Sequence, residues 1–347
     1  MKFDFIMYNP PYNKTLHLDF FNKGLDLLSD TGKMVIIEPS TWLIELRQNI
    51  AEKKSSQMKK YIAIKKRIKG HVSKVVVENF NNEFNIGLYV PCSITYIDNT
   101  KIFNEIEFIN CGIKKYVNSL DDCNLIGNIE IIKSIFEKIK NYNVVENHLY
   151  IPNKSEKIEG KYYIPFSGLC AVTPIAVQSI RPNSSSTNAR FYQISNGDFY
   201  KLWFNALFHV SYEISSIVPK KYARGGSTAN TKKFSDKEAD CVTGTKQELE
   251  NWKHYVFNNS LPLFINICLT IDQHNNSLPY VPWLVDKQYT DKEIYDMFDF
   301  NEDEIKLIET TIKKYERYSP WFKRYMCCPS SVSYEEVQKF INELENA

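Results

Sequence analysis

The sequence predicts an α/β domain followed by a C-terminal region that mixes helices and strands. The prediction begins with an apolar strand at residues 3–8, a helix at residues 17–28 with apolar residues at helical spacing, and a second apolar strand at residues 34–37. Alternation of strands and helices is typical of α/β domains. After residue 244 the pattern turns helical, with helices predicted at residues 247–257, 261–271, 291–298 and 303–315.

Size and composition indicate a folded protein with more than one domain. The chain has 347 residues, of which 43% are hydrophobic, and this content favours two domains over one. The net charge is only +2, so attraction to nucleic acid has to come from local patches. The sequence has no leader peptide pattern and no run of eighteen apolar residues, which predicts a cytoplasmic protein without a membrane partner. Plentiful Lys, Asn and Ile suggest an AT-rich coding genome such as that of a phage or virus.

The cysteines and histidines do not form a pattern typical of a metal site. The eight cysteines are scattered, without a Cys-x-x-Cys pair or a matched Cys/His set, so free thiols and no zinc are expected. The sequence also lacks a recognisable Ser-His-Asp or Cys-His set and a metal-dependent nuclease cluster.

The most informative stretch follows the first strand and consists of Asn9, Pro10, Pro11 and Tyr12. Two prolines keep the chain rigid and extended, which leaves the carbonyls of Asn9 and Pro10 available as acceptors. The Asn9 side chain adds an amide oxygen, and Tyr12 adds a flat ring. Acceptors beside a ring suit an exocyclic amine on a base, which they can orient while the ring stacks on it. The alternative is a turn that ends a strand and has no chemistry.

The order of segments around this corner resembles a known family. A strand, Asn-Pro-Pro-Tyr, a helix, a turn at residues 29–33, a strand and Pro-Ser-Thr-Trp-Leu at residues 39–43 are similar to the catalytic region of S-adenosylmethionine-dependent adenine-specific DNA methyltransferases. The resemblance implies a partial Rossmann-like methyltransferase domain, made of the later strands of the sheet, over residues 1–115. It also implies methyl transfer from S-adenosylmethionine to the exocyclic amine of a flipped adenine, without a metal.

The same resemblance assigns roles to particular residues. Asn9 and the Pro10 carbonyl would accept from the adenine amine, with Pro11 holding the corner rigid and Tyr12 stacking on the base. Residues 75–77 and 93–97 predict two antiparallel strands joined by an Asn-rich corner. In the resembled family this hairpin supplies an aromatic ring that stacks on the flipped adenine. Phe80 is the first candidate and Phe84 the second, the alternative being that both are core residues.

Two basic segments are candidates for contact with double-stranded DNA. Nine cations lie between Lys53 and Lys74 with no acid among them, and such a run attracts a polyanion. The alternative is a solvated helix face. A second segment, residues 220–233, mixes cations with Gly, Ser, Thr and Asn, and its alternative is an ordinary mobile loop. The predicted DNA-binding residues are Lys65, Lys66, Arg67, Lys69, Lys220, Lys221, Arg224, Lys232 and Lys233.

Residues 272–284, 289–295 and 302–305 are similar to the C-terminal target-recognition region of one branch of restriction-modification adenine methylases. This similarity implies that residues 116–347 form a DNA target-recognition region with a helical C-terminus. Thr290 and Asn301 are predicted helix N-caps, each followed three residues later by an acid, Glu293 or Glu304.

The chain departs from the family in one respect. Family members carry the cofactor-binding half, with its Gly-rich loop, before the Asn-Pro-Pro-Tyr strand, whereas only eight residues precede Asn9 here. Three hypotheses follow. The chain is the catalytic and DNA-recognition part of a methyltransferase whose cofactor half is a separate subunit, or an inactive DNA-recognition subunit or remnant, or an α/β interaction protein with a superficial resemblance.

Overall fold

A computed structural model of the chain describes most of its residues in two compact units. The described residues are 1–12, 15–51, 53–78, 92–110, 113–124, 126–165, 172–174, 191–193, 199–201, 203–205, 214–218, 220–223, 233–238, 240–269 and 280–318. The first unit comprises residues 1–129 with 193–200, and the second comprises residues 130–192 with 201–347. The predicted division into residues 1–115 and 116–347 stays a prediction.

The first unit is built on a mixed six-stranded sheet with the strand order β1-β2-β4-β3-β5-β6. Strand β1 is parallel to β2 and β3 is parallel to β5, whereas the other neighbours are antiparallel. The chain is therefore α/β, as predicted. The strands are β1 (Phe3–Tyr8), β2 (Leu28–Pro39), β3 (Val72–Glu78), β4 (Cys92–Asp98), β5 (Ile106–Asn110) and β6 (Ile113–Val117).

Four α-helices of this unit lie within the described residues, and their apolar faces contribute to its core. They are α1 (Leu16–Leu27), α2 (Thr41–Ile44), α3 (Arg47–Ile50) and α4 (Ser56–Arg67). Phe21 of α1 meets Trp42 of α2 edge to face, with ring centroids 5.5 Å apart, and both side chains are fully buried. Tyr61 and Ile64 of α4 are fully buried as well. Their burial explains the helical spacing of apolar residues in the sequence.

The turn expected after α1 is incorporated into a strand. Helix α1 leads directly into β2 at Leu28, which has an extended backbone. Phe3 pairs with Leu28 and Phe5 pairs with Lys33, so residues 29–32 form an irregularity within β2. Pairing with β1 extends the strand well beyond its apolar segment at residues 34–37. The prediction of a separate turn was therefore wrong.

The predicted hairpin is present as strands β3 and β4. These strands are antiparallel, with Val75 opposite Thr95 and Val77 opposite Ser93. The corner between them, with Phe80 and Phe84, lies outside the described residues.

The second unit contains several short strands and five helices among the described residues. The helices are α5 (Ile129–Ile139), which begins at the boundary between the units, α6 (Lys246–Asn258), α7 (Ser260–Leu269), α8 (Asp291–Met297) and α9 (Glu302–Tyr318). The strands of this unit are β7 (Leu149–Tyr150), β8 (Tyr162–Pro165), β9 (Val172–Pro174), β12 (Trp203–Asn205), β13 (Lys220–Ala223), β14 (Lys233–Glu238) and β15 (Cys241–Gly244). Strands β10 (Phe191–Gln193) and β11 (Phe199–Lys201) pair with each other and each includes residues assigned to both units. Strand β15 lies between β7 and β8 in an antiparallel sheet.

The predicted helix caps are confirmed. The Thr290 hydroxyl accepts from the amide of Glu293, whose carboxylate accepts from the amide of Thr290, so the two residues form a capping box. Asn301 and Glu304 make the same reciprocal pair at the start of α9. None of the helices in the described ranges is long and apolar enough to cross a membrane.

Candidate active site

The Asn-Pro-Pro-Tyr corner lies at the carboxyl end of β1, beside the end of β2. Tyr8, the last residue of β1, is paired with Ile36, and the two strands are parallel. The carboxyl ends of parallel strands meet at one edge of a sheet, where open α/β sheets bind ligands. Residues 9–12 and the segment that leaves β2 at residues 38–43 therefore lie close together.

The corner is attached to β2 through Tyr12. The Tyr12 hydroxyl donates to Oδ1 of Asn9, and its oxygen lies 3.2 Å from the carbonyl oxygen of Ile37. Asn9 and Pro11 are exposed, Pro10 is buried and Tyr12 is half-buried. An amide oxygen has two lone pairs, so the bond from Tyr12 leaves Asn9 with one acceptor position for a ligand.

The ionisable groups next to Tyr12 are held in their neutral forms. Burial raises the pKa of the Tyr12 phenol, with smaller contributions from Cys92 and Glu38. Burial also raises the pKa of the Cys92 thiol to about 11, although the hydrogen bond with Tyr12 acts in the opposite direction. Tyr12 is therefore a hydrogen-bond donor at neutral pH. Cys92 is a neutral thiol there, not a nucleophile.

Glu38, which the site prediction did not include, lies near this corner at the end of β2. Its side chain is fully buried, and neither carboxyl oxygen has a hydrogen-bond partner among the described residues. Burial raises the pKa of the carboxyl well above its ordinary value. Because Glu38 is two residues after Ile36, its side chain is on the sheet face of Ile36 and Tyr8. In the sequence, Glu38 continues the alternate spacing of Met34 and Ile36, which are the buried residues of an apolar strand. This spacing was the signal that could have identified it.

Tyr8 brings a second buried polar group to this face. Its hydroxyl has no hydrogen-bond partner in the described part of the chain, and burial, with a smaller effect of Glu38, raises its pKa. The side chain packs closely on α1, where a Cβ added to Gly24 would lie 2.9 Å from the Tyr8 oxygen. Gly24 therefore provides the space for the Tyr8 ring.

The segment that follows Glu38 is fixed to the sheet. Ser93 of β4 is opposite Glu38, and its hydroxyl lies 3.4 Å from the Glu38 carbonyl oxygen. The indole N–H of Trp42 donates to the Ser93 hydroxyl at 3.3 Å. These contacts hold the exit of β2 beside the corner.

The first basic segment is divided between paired and unpaired cations. Lys65 is buried, and its Nζ donates to the Asp121 carboxylate at 2.8 Å and to the Leu43 carbonyl at 3.2 Å. Burial lowers the pKa of Lys65 and Asp121 opposes this effect. Arg67 is exposed and is bonded to Asp26 at 2.8 Å. Lys65 thus has a structural role, which removes it from the residues that we propose to contact phosphate.

Lys66 and Lys69 are exposed, and the described residues offer neither of them a partner.

Of the second basic segment, Lys220 and Lys221 lie in β13 and Lys233 begins β14. These strands form an antiparallel pair, so the segment is partly a hairpin and not a single loop. Arg224 and Lys232 lie outside the described residues.

The described residues contain no group of three or more His, Cys, Asp or Glu side chains that could hold a metal ion. Cys92, Cys123, Cys241 and Cys268 are buried, and none of these four described cysteines is in a disulfide bond. The Asn-Pro-Pro-Tyr corner provides hydrogen-bond acceptors for an amine, namely the Asn9 amide oxygen and the Pro10 carbonyl. The described residues form no Gly-rich loop at the end of a strand that would suit S-adenosylmethionine.

No model of a known protein family matches the sequence, and no curated protein matches it. Several solved structures share a weak likeness with part of it, and two of them are described here. One is from work on complex assembly and conformational transition of the type I restriction-modification system. It is 14% identical with a TM-score of 0.24, and the match covers 30% of this chain and 23% of that chain.

The other structure is a modification subunit of a putative type I restriction enzyme from Vibrio vulnificus YJ016. It is 13% identical with a TM-score of 0.22, and the match covers 33% of this chain and 27% of that chain. The chain thus spans about a quarter of the length of each structure. At these TM-scores, function has to be argued from the corner itself.

Proposed function

We propose that this chain is the catalytic-loop and target-recognition part of an S-adenosylmethionine-dependent DNA adenine-N6 methyltransferase of a restriction-modification system. The observation that carries the proposal is the exposed Asn9 amide at the carboxyl ends of two parallel strands, held by the Tyr12 hydroxyl. Residues 1–115 form the catalytic part in this proposal. Residues 116–347 recognise the target sequence.

The chemistry at Asn9 follows from its remaining lone pair. The exocyclic amine of adenine donates one hydrogen to Oδ1 of Asn9 and the other to the Pro10 carbonyl. These bonds turn the nitrogen lone pair towards the electrophile and stabilise the positive charge that develops on nitrogen. The bond from Tyr12 fixes the orientation of the Asn9 amide before the substrate arrives.

Recognition of a base inside a duplex requires that the base be flipped out. Unstacking costs a few kcal/mol, part of which a stacking aromatic ring offsets. Tyr12 stacks on one face of the adenine in this proposal. Phe80, or in second place Phe84, stacks on the other.

S-adenosylmethionine supplies the methyl carbon when it is bound. We assign its binding site to a separate cofactor-binding subunit, because the described residues fit the amine side of the reaction alone. Lys66, Arg67 and Lys69 contact DNA phosphates at the catalytic part. The cations of residues 220–233 contact DNA at the recognition part.

A second candidate function is sequence recognition without catalysis. Among the described residues, the groups beside the corner whose pKa is raised by burial, Tyr8, Glu38 and Cys92, offer no charge to a cofactor at neutral pH, which favours this alternative. Calorimetry with S-adenosylmethionine separates the two functions. Catalysis predicts that S-adenosylmethionine binds to the mixture of this chain with the product of a neighbouring gene and not to this chain alone. Recognition without catalysis predicts that adding this chain produces no cofactor binding beyond that of the other protein.

The direct test is substitution of Asn9 by Ala. We expect methyl transfer to DNA by the reconstituted pair to fall at least about 100-fold, because both the acceptor and its orientation are lost. DNA affinity should change little. Asn104→Ala, at an exposed site of the same unit, is the matched control and should retain transfer. Equal transfer by the Asn9→Ala variant and the unchanged protein refutes the assignment.

DNA binding has its own test. The affinity of the chain for duplex DNA should fall with salt, with a clear slope of log K against log salt concentration. A slope of zero would exclude phosphate contacts and, with them, both candidate functions.

A further inference from the structure

A turn on the surface of the second unit carries a chain of side-chain hydrogen bonds. Nδ2 of Asn147 donates to Oδ1 of Asn143 at 2.9 Å, and Nδ2 of Asn143 lies 2.9 Å from Nε2 of His148. Both asparagines are exposed, and His148 is half-buried. The turn therefore presents two amides to solvent, and the orientation of each amide depends on its neighbour in the chain.

The order of donors and acceptors in this chain requires a neutral histidine. Because Oδ1 of Asn143 accepts from Asn147, the amino group of Asn143 faces the imidazole, and an amino group of an amide only donates. Nε2 of His148 is therefore the unprotonated ring nitrogen, and the ring proton is on Nδ1. A proton on Nε2 would place two donors opposite each other, so that the amide of Asn143, and then that of Asn147, would have to reverse.

The rest of the unit holds this histidine in place. Its ring stacks on Trp283, with the centroids 4.0 Å apart and the planes 9° from parallel. The Asn143 carbonyl accepts from the Trp283 amide at 2.7 Å, which fixes the turn to the same residue. Burial lowers the pKa of His148, and of the charged groups that face it among the described residues, Glu248 opposes this effect and Lys161 adds to it. The neutral form of His148 therefore predominates at neutral pH.

The outward end of the chain is an acceptor next to a donor. No described residue donates to Oδ1 of Asn147, and its Nδ2 keeps one hydrogen that the bond to Asn143 does not use. In the major groove of DNA, the donors are the exocyclic amines of adenine and cytosine, and an asparagine amide pairs with N6 and N7 of adenine. An amide that is oriented before binding loses less conformational freedom when it binds.

We propose that Asn147 determines sequence specificity by accepting a hydrogen bond from an exocyclic amine in the major groove of the DNA target, with His148 as the residue that positions it. This inference rests on the proposed function, in which residues 116–347 recognise the target sequence. Adenine fits best, because it also accepts from the remaining hydrogen of Nδ2. Protonation of His148 exchanges the positions of Oδ1 and Nδ2 of Asn147, which puts a donor opposite the amine. Recognition of this base is thus confined to pH values at which His148 is neutral.

The experiment selects bound sequences from a library of random duplex DNA with the full chain. Asn147→Ala should lose the preference for an adenine or a cytosine at one position of the selected site, and should bind that site about 5- to 150-fold more weakly. The salt slope of binding should not change, because no phosphate contact is removed. Asn141→Ala, which is also exposed, is the matched control and should keep the whole preference. Both sites are exposed, so both variants should fold.

A change of pH separates this role from a purely structural one. The unchanged chain should lose the same preference when the selection is repeated at about pH 5 instead of about pH 7.5. The Gln side chain can place an amide oxygen near the position of the imidazole Nε2 and does not titrate. His148→Gln should therefore keep the preference at both pH values. Nitrogen NMR of the chain with isotope-labelled histidine should show Nε2 of His148 unprotonated at the higher pH.

Three results overturn the inference. They are a selected site that Asn147→Ala leaves unchanged, a preference at this position that is equal at both pH values in the unchanged chain, and a proton on Nε2 of His148 at the higher pH. In each case the proposed function stands, because the chain still binds DNA. Absence of any salt-dependent binding to DNA refutes the proposed function and the inference with it. If Asn147→Ala changes the selected site but the reconstituted pair transfers no methyl group, recognition of the base stands and the proposed catalysis fails.

Discussion

Replacement of Glu38 by Gln should change how the stability of the protein depends on pH. The Glu38 carboxyl is fully buried without a partner among the described residues, and burial raises its pKa well above the ordinary value. Its proton is therefore retained in the folded protein at pH values where the unfolded chain has lost it. Gln has nearly the same shape and cannot ionise.

The expected magnitude follows from proton linkage. The contribution of Glu38 is complete below the pKa of an unfolded glutamate, about 4.3, and decreases as pH rises towards the raised pKa of the folded protein. One proton taken up per folding event gives a slope of about 1.4 kcal/mol per pH unit in that window. The wild-type protein should lose stability relative to Glu38→Gln at this rate above about pH 5.

Urea denaturation of both proteins at pH 5, 6, 7 and 8 measures the difference in the free energy of unfolding. Groups that titrate alike in both proteins cancel in this difference. Cys92, whose pKa is raised to about 11, remains neutral throughout. Glu105→Gln, at an exposed site, should leave the pH dependence unchanged. A difference between wild type and Glu38→Gln that is constant with pH would show that Glu38 ionises without cost in the folded state and would refute the reasoning.

Three further substitutions test other contacts. Lys65→Met should cost about 1–3 kcal/mol in urea denaturation because it removes the buried ammonium's bonds to the Asp121 carboxylate and the Leu43 carbonyl. Lys66→Met should leave stability within about 0.5 kcal/mol and reduce the salt slope of DNA binding by about one. Thr290→Ala should cost about 1 kcal/mol through loss of the capping box, and an unchanged thermal midpoint would contradict this. Gly24→Ala should cost about 1–3 kcal/mol through overpacking against the Tyr8 ring, and no loss in denaturation would show that the ring moves aside.

The sequence predicted those parts of the fold that depend on local patterns. Helix α1, the two strands around it and the hairpin of β3 and β4 follow from apolar spacing over short segments. The caps at Thr290 and Asn301 follow from a four-residue signature. The contact of Tyr12 with Asn9 is equally local, since three residues separate them.

Contacts between distant segments were not predictable in this way. The basic run from Lys53 to Lys74 has no acid within it, which favoured a polyanionic partner for the whole run. In the fold, Asp19 and Asp26 of α1 pair with Lys60 and Arg67 at 2.7 and 2.8 Å. Helical spacing does not tell which helix packs beside α4, so the balancing charges could not be assigned from the sequence.

The two features that oppose stability lie in the same place. Glu38 is a buried carboxyl without a partner in the described residues, and β1 is an apolar strand that pairs, among those residues, with β2 alone. Elsewhere the same unit follows the usual rules, because the β6 edge carries lysines and buried Lys65 has a partner. Local conflicts that persist in a natural protein are expected at functional sites. Their position beside Asn9 is therefore consistent with the proposal that this corner is a functional site.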